Sequence, residues 1–176
     1  MRQLRPTRLE PQPLYTAEER RRRDASPWTL VQGVLAPLQL LVFLVSLCLV
    51  VRYLGTGEGL LAATVSIVAK TLVLYTIMIT GSIWEKDVFG CYLFARPFFW
   101  EDVVSMLVLG LHTAYLAALL TGWLDARQQM FLALAAYASY VVNASQFLLK
   151  LRAARLQGAH ARAGMAGGGA LLGISE

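Results

Sequence analysis

Four apolar runs, each long enough to cross a lipid bilayer, leave this chain few ways to fold. In hydrocarbon every backbone N–H and C=O must find its partner inside the protein, and a helix does this within a single segment. At 1.5 Å per residue, about twenty apolar residues span the ~30 Å hydrocarbon core. The runs predict helices over about 28–52, 60–83, 102–123 and 128–149, an all-α integral-membrane four-helix bundle. With 176 residues, 57% of them apolar and only 15% charged, no second folded domain fits beside it.

The punctuation of the chain supports these spans. Residues 1–13 carry Pro6, Pro11 and Pro13 with scattered arginines and no apolar period, an extended arm. Thr16 and Glu19 form a capping-box pattern ahead of EERRRRD, a short polar helix whose arginines suit anionic headgroups. Residues 1–27 therefore read as a basic arm with a short helix, 28–150 as the membrane domain, and 151–176 as a basic, then Gly/Ala-rich flexible tail. The first apolar run is too long for a cleavable signal. Ser26 and Pro27 open helix one, Pro37 interrupts it, Gly55, Gly57 and Gly59 turn the chain into helix two, and Asp125 and Arg127 mark the last tight turn. Cys48 and Cys91 match no disulfide or metal spacing and read as packing residues, so no metal site is expected.

A formal charge of +5 raises nucleic acid as a partner, but the basic residues flank apolar runs instead of lining a groove. That pattern sets orientation. Lys and Arg number seven in the N-terminal arm, two in the central loop and four in the C-terminal segment, thirteen against only Arg52 and Arg127 in the two opposite loops. The excess places both termini and the central loop on the cytoplasmic side of the membrane.

That central stretch, GSIWEKDVFGCYLFARPFFWEDVVSM from Gly81 to Met106, crowds Glu85, Asp87, Glu101 and Asp102 among Trp84, Phe89, Tyr92, Phe94, Phe98, Phe99 and Trp100. One reading is an interfacial aromatic belt with solvated acids. The other is a site that binds a large flat molecule and moves a proton to or from it, since an apolar wall can keep a carboxyl protonated. Polar residues inside the spans share the cytoplasmic half: Gln32, Gln39, Asn143 and Gln146, with Lys70 and His112 near mid-depth. An intramembrane lysine costs about 2.5 to 3.5 kcal/mol on insertion scales, so Lys70 should face the interior. These groups predict a polar cavity opening to the cytoplasm and closed on the other side, which disfavours a transporter. On helix three, Glu101 and His112 fall within about 20° of one stripe with Ser105 and Tyr115 nearby, while Asp102, about 100° away, suits a helix cap.

RRRRDASPWTLVQGVLAPLQLLVFLVSL, GSIWEKDVFG, FFWEDVVSMLVL and LHTAYLAALL, taken in order, resemble the bacterial 3-vinyl (bacterio)chlorophyllide hydratases over roughly 15–155. The resemblance implies a multi-pass inner-membrane hydro-lyase of bacteriochlorophyll biosynthesis that adds water to the 3-vinyl group of chlorophyllide a and uses no cofactor. Membrane lipid and a magnesium tetrapyrrole are then its partners, and a homo-oligomer or contacts with other pigment-biosynthesis enzymes stay open. The other class that suits the composition is a non-enzymatic tetrapyrrole-binding or assembly helper, which leaves the acids unemployed.

The family's catalytic residues are not carried over; the candidates come from this sequence. Hydration needs a proton delivered to the terminal CH2 and one placed water. Glu101 is the first choice of donor and Glu85 the second, with His112 and Asp87 as further catalytic candidates. Trp84, Phe99 and Trp100 offer stacking faces; Arg96 and Lys70 offer cations for a propionate; Gln39, Asn143 and Gln146 offer polar contacts. His112 is also a candidate axial ligand for the substrate's magnesium.

Overall fold

The computed structural model describes the chain from residue 14 to 172, with side chains to 156. The expected extended arm at 1–13 and the last four residues lie outside the described residues. Five helices follow in order: α1 (Ala17–Ala25), α2 (Pro27–Thr56), α3 (Leu60–Phe89), α4 (Phe99–Thr121) and α5 (Ala126–Leu172). Four are long and apolar enough to cross a membrane, with α5 qualifying over Ala126–Leu156.

Two antiparallel hairpins, α2/α3 and α4/α5, make the bundle and meet along looser α2–α5 and α3–α4 seams. Side-chain pairs fix the register of each hairpin. Gln32 Nε2 donates to Thr80 Oγ1 at 2.7 Å near one end of the first hairpin, and Ser46 shares a hydrogen bond with Ser66 at 2.7 Å near the other. In the second, Asn143 Nδ2 donates to Ser105 Oγ at 2.8 Å. Such bonds hold membrane helices together where lipid tails offer no hydrophobic drive between them. The core behind them is Phe43, Val50, Ile67, Leu74, Val108, Tyr115, Met130 and Tyr137, while Leu41, Leu44, Leu61, Ile79, Leu107 and Leu120 point outward as lipid-facing residues should.

The helices overrun their expected ends where the sequence turns aromatic and acidic. Helix α3 continues six residues past 83, carrying Trp84 to Phe89, and α4 starts at Phe99 instead of 102, so only a nine-residue loop (90–98) joins them. Gly90, at φ +83°, stops α3 in a left-handed conformation that costs a glycine nothing. The N-cap of α4 is Phe98, so Asp102 lies inside the first turns and does not cap, contrary to expectation. Asp125 does cap: it accepts from the Gln128 amide at 2.8 Å while Gln128 Oε1 accepts from the Asp125 amide at 3.0 Å. The backbone of α5 stays helical to Leu172, through most of the segment expected to be a flexible tail, because Ala, Leu, Arg and Gln dominate residues 151–166 and favour helix.

Helix α1 carries the capping box of Thr16 and Glu19 and lies against the end of α3. Tyr15 stacks on Phe89 at 5.9 Å between centroids, Ser26 Oγ donates to Asp87 Oδ2 at 2.9 Å, and the Trp84 indole donates to Thr29 Oγ1 at 2.9 Å. This topology makes a checkable statement: reporter fusions after Gly57 and after Gly122 will read out on one side of the membrane, and a fusion after Arg155 on the other.

Candidate active site

The loop 90–98 folds back over the end of the bundle because its backbone has carboxyls to bind. Phe94 is the only non-glycine at positive φ (+61°) among the described residues. A residue held there costs on the order of 1 to 3 kcal/mol, which the surrounding contacts must offset. The left-handed turn aims two successive amides into one concavity, the geometry that binds anions. The Phe94 N–H donates to Asp102 Oδ2 at 2.7 Å and the Ala95 N–H to Glu85 Oε2 at 3.2 Å. Because these amides are adjacent, they bring the two carboxyls, from α4 and α3, side by side. Two carboxylates that share a site repel each other, which favours a proton on one of them.

Glu101 turns the other way. Its Oε2 pairs with Lys150 Nζ of α5 at 2.5 Å, and the same ammonium donates to the Pro97 carbonyl and lies 5.0 Å from the Phe98 ring centre. This pair ties α5 to the loop. Behind it, Trp84, Phe89, Phe98, Phe147 and Tyr15 form an aromatic plug.

Below the acids runs a line of buried polar groups. Ser105 and Asn143 come first; deeper lie Lys70, fully buried with its Nζ 3.9 Å from the Tyr140 ring centre, and His112, whose Nδ1 donates to the Val108 carbonyl at 2.8 Å. Gln39 Oε1, Lys70 Nζ, His112 Nε2, Asn143 Oδ1 and Gln146 Oε1 have no hydrogen-bond partner among the described residues. Each such group is costly in hydrocarbon, so the interior is a place for water or for a polar ligand atom.

The structure therefore divides the candidates picked from sequence. Glu85, Glu101, Lys70, His112, Gln39 and Asn143 are buried in the interior, with Gln146 beside them. Asp87 is exposed and occupied with Ser26, and the indole N–H of Trp84 is occupied with Thr29. Phe99, Trp100 and Arg96 point outward and line no interior space. Where an open polar cavity was expected these groups are buried, and a hollow of about 280 Å³ among the described residues is a lateral apolar groove between α3 and α4. That volume lies at or below the ~300–1,000 Å³ of sites that enclose small molecules. It does not reach His112, so contact with a substrate magnesium would require the bundle to open.

Two residues escaped the sequence reading. Asp102 was judged by its angle on the helix wheel, which ignores that a loop lies over the first turn of α4 and makes that side interior too. Lys150 was counted only as a basic flank, although its spacing from Asn143 and Gln146, seven and four residues, puts it on their face.

Fold and site together define a small helical protein with four helices able to cross a membrane and a pair of carboxyls held under adjacent loop amides. A family model described as "2-vinyl bacteriochlorophyllide hydratase (BCHF)" matches residues 15–153, and the chain belongs to that family. Among curated proteins, the 2-vinyl bacteriochlorophyllide hydratase of Rhodobacter capsulatus is 70% identical over 151 residues, covering 86% of this chain and 88% of the relative. The protein of that name from Cereibacter sphaeroides is 68% identical over 143 residues, covering 81% and 89%. No solved structure matches the chain.

The Glu101–Lys150 pair yields a stability prediction. Removing one partner of a buried ion pair typically costs about 3 to 5 kcal/mol, because the other charge is left uncompensated. Lys150→Met will lower the unfolding midpoint of the detergent-solubilised protein, and Lys150→Met with Glu101→Gln will recover most of the loss.

Proposed function

We propose that this chain hydrates the ring vinyl group of a magnesium chlorophyllide, numbered 2 in its relatives' name and 3 in systematic numbering, to a 1-hydroxyethyl group. The family membership supports the reaction, and the placing of Glu85 and Asp102 on adjacent loop amides is the observation that carries the chemistry. The donor assignment moves with it from Glu101 to Glu85. In an ion pair the proton sits on the amine, so Glu101 serves to fix Lys150 and the loop, while the Glu85–Asp102 pair holds a proton ready for transfer.

The balance closes without an oxidant or reductant. The pair's proton goes to the terminal vinyl carbon, and the positive charge left on the ring-adjacent carbon spreads into the macrocycle. Water bonds to that carbon, and its extra proton returns to the carboxylate just unmasked. The Phe94 and Ala95 amides stabilise the pair while it carries the extra negative charge. His112 lies about 15 Å down α4 from Asp102, too far to act on the same two carbons. The basic-residue excess supports placing this end of the bundle at the cytoplasmic face of the inner membrane.

The test is full-length protein in detergent with chlorophyllide a in ¹⁸O-labelled water. The product gains one labelled water, and label arriving from oxygen gas instead would refute the reading. Glu85→Gln retains pigment but loses about 10²- to 10⁴-fold in turnover, the usual effect of removing a general acid. Glu101→Gln loses far less once stability is matched.

A further inference from the structure

The acid pair sits at one end of the α3–α4 seam, and the groove lies along that seam. Tyr75 OH and Thr113 Oγ1 share a hydrogen bond of 2.8 Å across it, with Tyr75 and Thr113 each ten to eleven residues down their helices from Glu85 and Asp102. That separation is about 15 Å at the helical rise. Between these two polar bridges the seam opens into the 280 Å³ hollow lined by Tyr75, Met78, Ile79, Leu109 and Thr113. The wall residue Ile79 is 63% exposed, so the hollow faces lipid and not the bundle interior. The other loose seam, α2–α5, is filled by Phe43, which contacts Tyr137 and Tyr140 at 5.4 and 4.9 Å between centroids.

We propose that the tetrapyrrole docks edge-on from the bilayer into the α3–α4 groove, its vinyl group directed to Glu85–Asp102 and its opposite, ketone-bearing edge to the Tyr75–Thr113 hydroxyls. This rests on the hydratase reading and adds the route and orientation. A flat apolar ring with an alkene at one end and a carbonyl oxygen at the other matches the order along the seam: acid pair, apolar wall, then the Tyr75 hydroxyl, which exchanges its bond to Thr113, itself donating to the Leu109 carbonyl, for one to the ketone. The distance between the two polar bridges is on the scale of such a ring with one hydrogen-bond length at each end. The hollow is too small to enclose the macrocycle, so the rest of the ring stays in lipid, where an amphipathic pigment partitions. An acyl chain would fill the apolar wall as well, but has no carbonyl to place at Tyr75–Thr113 at that depth and no reason to sit beneath an acid pair.

Groove-filling variants of the full chain in lipid nanodiscs test this. Ile79→Trp and Leu109→Trp will raise KM for chlorophyllide a at least tenfold with the fold retained by circular dichroism, whereas Leu44→Trp, on the lipid face of α2, will leave KM unchanged. Tyr75→Phe with Thr113→Val will raise KM by up to roughly tenfold, the usual worth of a lost hydrogen bond. That penalty will vanish for a substrate analogue lacking the ring ketone, a signature no structural role would produce. Binding is read separately from turnover. With Cys48 and Cys91 replaced by Ser, a spin label on Ile79→Cys will quench the fluorescence of bound chlorophyllide, and one on Leu44→Cys will not. Equal quenching from both labels, or wild-type KM in both groove-filling variants, overturns the docking proposal even if the wild type hydrates. If the wild type fails to hydrate but the quenching pattern holds, the hydratase reading fails and the docking site stands.

Discussion

Placing three carboxyls at one end of a membrane bundle is possible only because each is answered by a specific partner, and the rest of the site follows from those answers. Asp102 and Glu85 take the amides of Phe94 and Ala95; Glu101 takes Lys150. The first set pulls the loop down onto the helices and holds Phe94 in a strained conformation. The second ties the loop to α5 through Lys150, which also binds the Pro97 carbonyl. Loop, acids and three helices are thus one unit, and the aromatic plug of Trp84, Phe89, Phe98 and Phe147 excludes water from its flank. In that setting each hydrogen bond is stronger, and an unanswered charge more costly, than at a surface.

The same accounting separates the two polar regions. Around the acids nearly every group is satisfied, whereas around Lys70, His112, Gln39, Asn143 and Gln146 several atoms are not. The satisfied region suits proton transfer, where geometry must be fixed before the substrate arrives. The unsatisfied one suits water held inside the bundle. It extends the polar line from the carboxyl pair toward mid-membrane, beside but not within the groove.

Much of this architecture could be read from sequence, because lipid imposes simple rules. The apolar runs marked four helices, Lys70 was bound to face inward, and the stripe of Glu101, Ser105, His112 and Tyr115 on α4 is indeed the buried one. Hydropathy failed where α3 and α4 leave the hydrocarbon. There Trp84 to Phe89 and Phe99 to Glu101 are helical although polar and aromatic, since backbone hydrogen bonding continues whatever the side chains. Partnerships between distant segments were not legible either. Nothing local says that Glu101 meets Lys150, forty-nine residues away, instead of a substrate, or that the loop amides select Asp102. Nor does polar depth reveal whether facing side chains fill the space between the interior polar groups, which decides between a cavity and a packed polar core.

The central claim is that the proton for hydration is held between Glu85 and Asp102 and not on Glu101. Infrared difference spectroscopy of the resting protein at neutral pH addresses it directly, through the C=O stretch of a protonated carboxyl. The band is predicted to disappear in Glu85→Gln, to shift in Asp102→Asn and to remain in Glu101→Gln. A band that survives Glu85→Gln unchanged and is lost in Glu101→Gln would contradict the account.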